Sequence, residues 1–150
     1  MTPYKLTDES IQINGRTLFR IELTEDCKWG KAGTKGGFIE MINNLTENAW
    51  VSGNANVSDD ANVYGNANVY GNAWVFGDAQ VEKTSDYMTI SSLGETSRTI
   101  TITFSNKMIS AGCFRGTLEE LKAAVDKKYQ GRGNYYPTIQ YIEALFNSIN

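Results

Sequence analysis

The stretch with the most evident chemistry is Gly112-Cys113-Phe114-Arg115-Gly116-Thr117, where a strand end is expected to run through a glycine-flanked turn into a capped helix. Successive backbone N–H groups at a helix start attract anions, and the Arg115 guanidinium adds a permanent charge whose fork suits phosphate. These six residues form the candidate phosphate-binding site. A plain structural reading stands beside it, in which the glycines serve the turn, Thr117 the cap and Arg115 a surface ion pair. A second stretch with binding chemistry is TEDCKWGKAGTKGG, where three lysines and four glycines surround Trp29. It reads as an exposed loop, or as a flexible loop that contacts a ligand. Acid–base chemistry has less to work with, because the chain contains no histidine. That removes the side chain that titrates near neutral pH, and with it the serine and cysteine hydrolases that use a histidine base. The adjacent acids Asp59-Asp60 and Glu119-Glu120 read as a solvated turn and a helix start. Cys27 and Cys113 stand in no metal-ligand spacing and are expected to be reduced thiols. Neither a catalytic residue, a metal nor a cofactor is expected, and the chain reads as a non-enzyme.

The elements that carry these residues are set by a repeat. From Asn43 to Thr84 the chain reads NNLTEN, AWVSGN, ANVSDD, ANVYGN, ANVYGN, AWVFGD, AQVEKT, seven hexads without a gap. The third residue is always aliphatic (Leu45, Val51, Val57, Val63, Val69, Val75, Val81) and the first is Ala from Ala49 to Ala79. The fifth and sixth are mostly Gly-Asn, Gly-Asp or Asp-Asp, which tolerate positive φ. Each unit is a short strand and a corner, and only stacking buries its apolar face. The period predicts a parallel β-helix, although alternation alone also fits an antiparallel meander. Gly37 to Ile42 adds a degenerate first hexad, with Ile39 in phase before Leu45. The second and fourth places flank the inward aliphatic and are expected to point outward. They hold Trp50 and Trp74, and Tyr64, Tyr70 and Phe76, a candidate aromatic or interface set.

The hexads resemble the hexapeptide-repeat left-handed β-helix family. That resemblance implies three hexads per coil and a homotrimer, in which the outward aromatics lie between subunits. The family's acyltransferases and carbonic anhydrases rely on histidines that this chain lacks. KLTDESIQINGRTLFRI, the hexads and SAGCFRGTLEEL together resemble uncharacterised phage and prophage hexapeptide-repeat proteins of gut bacteria. The resemblance implies a viral protein acting in the host bacterial cytoplasm. That resemblance brings no established activity, and the expected roles come from the residues. One is sequestration of a nucleotide-type host signal at subunit interfaces, as a counter-defence protein, with Arg115 and the Thr117 helix start on phosphate and aromatics on the base. The other is a trimeric structural or adaptor module that binds a protein partner such as a host defence protein.

The rest of the chain frames the repeat. SIQINGRTLFRIEL holds two alternating runs around Asn14-Gly15, a β-hairpin signal. Beyond Thr84, YMTISSL, RTITITF and KMISAGCF read as strands, with a turn at Ser105-Asn106-Lys107. Thr117 stands three residues before Glu120, the capping-box spacing, and opens a helix with Leu118, Leu121, Val125 and Tyr129 on one face. Gln130 to Asn134 reads as a loop before a second helix beginning near Pro137. The expected organisation is a head over 1–36, a β-helix over 37–84 and an α+β part over 85–150, mainly β overall. A net charge of −3 argues against a general nucleic-acid surface, and no apolar run reaches the roughly 18 residues of a membrane helix.

Overall fold

The computed structural model describes residues 1–93, 98–112, 114–129 and 135–149. They divide into two compact units, Met1–Asp86 and Tyr87–Asn150.

The first unit opens with β1 (Tyr4–Ile13) and β2 (Arg16–Leu23), paired antiparallel around Asn14-Gly15. Both turn residues have positive φ, 50° and 79°, as the dipeptide predicts. The pairing of Leu6 with Ile21 and of Ser10 with Phe19 leaves Thr7, Asp8 and Glu9 bulged opposite Arg20. The loop that follows ends at Thr34, because Lys35, Gly36 and Gly37 belong to β3 (Lys35–Ile39). This corrects the expectation that they are loop. A Cβ on Gly36 would lie 2.6 Å from the Trp50 ring, and one on Gly37 2.5 Å from the Ala55 carbonyl. The double glycine therefore lets the strand press against its neighbours. β3 pairs antiparallel with β2 on one side and parallel with β5 on the other, joining the hairpin to the repeat.

The repeat itself contributes β4 (Trp50–Val51), β5 (Asn56–Val57), β6 (Asn62–Val63), β7 (Asn68–Val69), β8 (Trp74–Val75) and β9 (Gln80–Val81). Every pair among them is parallel, with Trp50 on Asn68, Asn56 on Trp74 and Asn62 on Gln80. Partners are thus three hexads apart, and the antiparallel meander is excluded. Backbone N–H groups donate to the coil above, as in Trp50 to Ala67 (3.0 Å), Asn56 to Ala73 (2.9 Å) and Asn62 to Ala79 (3.0 Å). Ile39, Leu45 and the six valines from Val51 to Val81 are all fully buried, and the alanines of the first place are buried beside them. The fifth place turns the corner in the left-handed region at Gly53, Gly65, Gly71 and Gly77, and also at Glu47 (φ 55°) and Asp59 (φ 61°).

One corner of the first coil is built differently, by a 3₁₀ turn over Ile42–Asn44. The Asn44 side chain is buried there. Its oxygen accepts from the N–H groups of Glu40 and Met41, and its amide donates to the carbonyls of Asp59 and Ala61. One side chain thereby supplies the bonds that the missing Gly-Asn corner would have made.

The second unit is an antiparallel sheet in chain order, β10 (Tyr87–Leu93), β11 (Arg98–Thr103), β12 (Met108–Ala111) and β13 (Phe114–Gly116), followed by α1 (Leu118–Tyr129) and α2 (Tyr135–Ser148). Ile100, Ile102, Ile109 and Ala111 from the sheet pack with Leu121 and Val125 of α1 and with Ile139, Ile142 and Phe146 of α2. The second helix begins at Tyr135, two residues before Pro137, and the expected loop over 130–134 lies outside the described residues. The turn at 105–107 is present, with Lys107 at φ 54° and the Asn106 side chain accepting the Met108 N–H.

Candidate functional site

Residues 112–117 do not form a turn that runs straight into a helix. Phe114, Arg115 and Gly116 are the edge strand β13, which places Arg115 opposite Ser110 on β12, half-buried. Ala111 and Phe114 pair at the end of the two strands, and Gly112 takes a left-handed φ of 60°. Cys113 lies outside the described residues. The helix start just beyond is satisfied from within. The Thr117 N–H donates to the Glu120 carboxylate at 3.0 Å, and the Glu120 N–H donates to the Thr117 hydroxyl at 3.2 Å. This capping box holds the Glu120 carboxyl below its ordinary range, first through the Thr117 N–H and then through its hydroxyl. A Cβ on Gly116 would lie 2.9 Å from the same carboxylate, so this glycine leaves room for the cap. One donor that a phosphate would use is therefore already held by an anion of the chain.

The aromatics of the hexads fall into two groups. Trp50 and Phe76 are buried within the chain, at 3 % and 5 % exposure, which corrects the expectation that they are outward residues awaiting another subunit. Trp50 is covered by the head, where its ring meets Gly36 beside Ile21. Phe76 has the Trp74 ring 6.2 Å away and tilted. Trp74 is half-buried and donates its indole N–H to Ser58. Tyr64 is half-buried, and Tyr70 is 53 % exposed. Burial of Trp50 was hidden from the hexad phase because the strand that covers it includes Gly36, ahead of the repeat.

The lysine-bearing loop is where the fold gathers most polar chemistry. Cys27 and Gly30 exchange backbone bonds of 2.8 and 3.1 Å, folding Cys27-Lys28-Trp29-Gly30 into a tight turn. The Trp29 indole N–H donates to the Asn48 carbonyl at 2.9 Å, and the Lys28 ammonium donates to the Asn66 side chain at 2.7 Å. That ammonium lies 4.8 Å from the centre of the Trp29 ring. Asn48 and Asn66 occupy the same hexad place in successive coils, so the loop is pinned along one corner of the stack. Two clefts open on this corner. One, of about 170 Å³, is lined by Thr2, Cys27, Lys28, Trp29 and Asn48, and the other, of about 300 Å³, by Gly65, Asn66, Glu82, Lys83 and Thr84.

A third cluster is structural. Arg16 contacts Glu40 and Asp59, each at 2.8 Å. Those carboxylates in turn accept the N–H groups of Asp59 (2.7 Å) and Gly77 (2.9 Å), so acidic side chains climb one corner and cap the coil above. The acid pair of the sequence is thus divided, with Asp59 in this brace and Asp60 exposed. Among the described residues no group of three or more His, Cys, Asp or Glu side chains is arranged to hold a metal ion, and no helix is long and apolar enough to cross a membrane. No protein-family model matches the chain, and no curated protein matches it either.

Proposed function

We propose that this chain is a non-catalytic binding protein of phage or prophage origin, built as a short left-handed parallel β-helix with a hairpin head and an α+β tail. It works as a homotrimer in the host bacterial cytoplasm and sequesters a small anionic, nucleotide-type ligand. The observation that carries the binding reading is the loop over 24–34, whose Lys28 and Trp29 are fixed side by side on the stack. A rigid frame that presents an ammonium, an indole and amides is suited to holding a ligand, since little ordering remains to be done on binding. The absence of histidine supports binding over catalysis. A second reading, an adaptor that binds a protein partner, draws on Tyr70, a large side chain that is more than half exposed. Native mass spectrometry of the protein purified from bacteria with active defence systems tests the two. A retained small molecule is expected. A co-purifying host protein without a small molecule would replace the sequestering reading with the adaptor.

A further inference from the structure

We infer that the corner under the 24–34 loop is the site for a phosphorylated nucleoside, with Trp29 against the base, Lys28 and Lys83 on the phosphates and Glu82 on the sugar hydroxyls. This rests on the reading of the chain as a small-ligand binder, and it places the ligand away from Arg115. Three observations carry it. The two clefts belong to one surface, because Asn48, Asn66 and Thr84 hold the same hexad place in successive coils and the Asn48 N–H donates to Gly65 at 3.0 Å. Coils stacked as strands are about 4.8 Å apart, so a ligand of nucleotide length reaches from one cleft to the other. Next, the cations are not neutralised by a carboxylate. Lys5, Lys35 and Lys122 each pair with a carboxylate, whereas among the described residues Lys28 and Lys83 form no ion pair. Lys28 gives one proton to Asn66 and keeps two others for an anion. Finally, the groups differ in kind along the corner. An indole stands at one end, while the other holds a carboxylate, an ammonium and a hydroxyl on consecutive residues, Glu82, Lys83 and Thr84. Stacking, ion pairing and hydroxyl recognition are the separate demands of base, phosphate and ribose. The larger cleft, at about 300 Å³, reaches the lower end of the usual range for small-ligand sites.

Calorimetry at low salt with the four ribonucleoside diphosphates, adenosine and inorganic pyrophosphate tests the site on the full chain. At least one diphosphate is expected to bind with a Kd below about 1 mM and at least tenfold more tightly than pyrophosphate or adenosine, since each of the latter lacks half of the contacts. Lys83→Gln, on an exposed side chain, and Lys28→Gln should each weaken it by roughly tenfold, the loss of a charged hydrogen bond. Arg115→Gln should leave it unchanged. The inference is overturned if no diphosphate binds, if adenosine binds as tightly as the diphosphates, or if affinity follows Arg115 and ignores Lys28 and Lys83. A small molecule whose retention in native mass spectra is the same in wild type and in the Lys28→Gln, Lys83→Gln double variant would also overturn this site, while leaving the binding-protein reading in place.

Discussion

Gly65 and Gly71 occupy the same place in adjacent hexads and the same backbone region, at φ +64° and +69°, yet differ in their surroundings. A Cβ on Gly71 would meet nothing within 4 Å, whereas one on Gly65 would lie 2.7 Å from the Glu82 carbonyl. Gly71→Ala should therefore cost only the strain of a left-handed alanine, about 1 kcal/mol. Gly65→Ala adds a collision with backbone and should cost roughly 2–3 kcal/mol. Urea denaturation of both variants checks this, and equal losses would mean that the coil above yields freely. The same strain is visible at Glu47 and Asp59, which adopt this conformation with full side chains. At Asp59 it is offset by contacts with Arg16 and Gly77. The corner places were legible from the Gly-Asn, Gly-Asp and Asp-Asp pattern, Asp59 among them, but Glu47 was not, because its residue type does not favour positive φ.

Side chains tie elements together, and Tyr4 is one of them. Its hydroxyl lies 2.7 Å from the Leu45 carbonyl and 3.0 Å from that of Ile42, linking β1 to the 3₁₀ corner of the first coil. Burial pushes its pKa up to about 12. The folded chain then keeps the phenol proton over a range where the unfolded chain, near 10, has lost it. Stability from this contact is complete below pH 10 and declines as pH rises from 10 towards 12. Thermal melts at intervals across that range should show a steeper alkaline fall in wild type than in Tyr4→Phe. At neutral pH the variant should be less stable by about 1 kcal/mol for the lost bond. Parallel curves would show that Tyr4 titrates as it does in the unfolded chain. Arg20 makes a comparable tie, with Glu9 at 2.7 Å, the Gly36 carbonyl at 2.6 Å and the Phe38 ring at 4.3 Å. The hairpin was legible from Asn14-Gly15, but the bulge that brings Glu9 to Arg20 has no periodic signal.

For the whole molecule, burial decides which aromatics can serve an assembly. Tyr70 is more than half exposed while Trp50 and Phe76 are buried, so they should respond differently to charge. Light scattering at micromolar concentration is expected to give the mass of a trimer, and Tyr70→Lys to shift it towards the monomer with the far-UV spectrum unchanged. Phe76→Asp should instead unfold the stack, because it places a carboxylate in an apolar site. A monomeric wild type would refute the trimer, and a folded but dissociated Phe76→Asp would show that this ring is at an interface after all.

The repeat was legible in the sequence itself, since a six-residue period of Ala, aliphatic and turn residues can bury every valine only by stacking, while the choice of parallel coils over an antiparallel meander is fixed by pairing between hexads three apart. Equally legible were the hairpin turn and the Thr117–Glu120 cap, whose bonds span a few residues and need no distant partner. Tertiary structure alone decided the rest. Gly36 and Gly37 became strand because the coil lies against them, Arg115 became an edge-strand residue because Ser110 pairs with it, and Trp29 met Asn48 because the loop folds back along a corner. Each of those outcomes depends on contact between segments remote in the chain, and a local pattern of residue types carries no record of which remote surface will arrive.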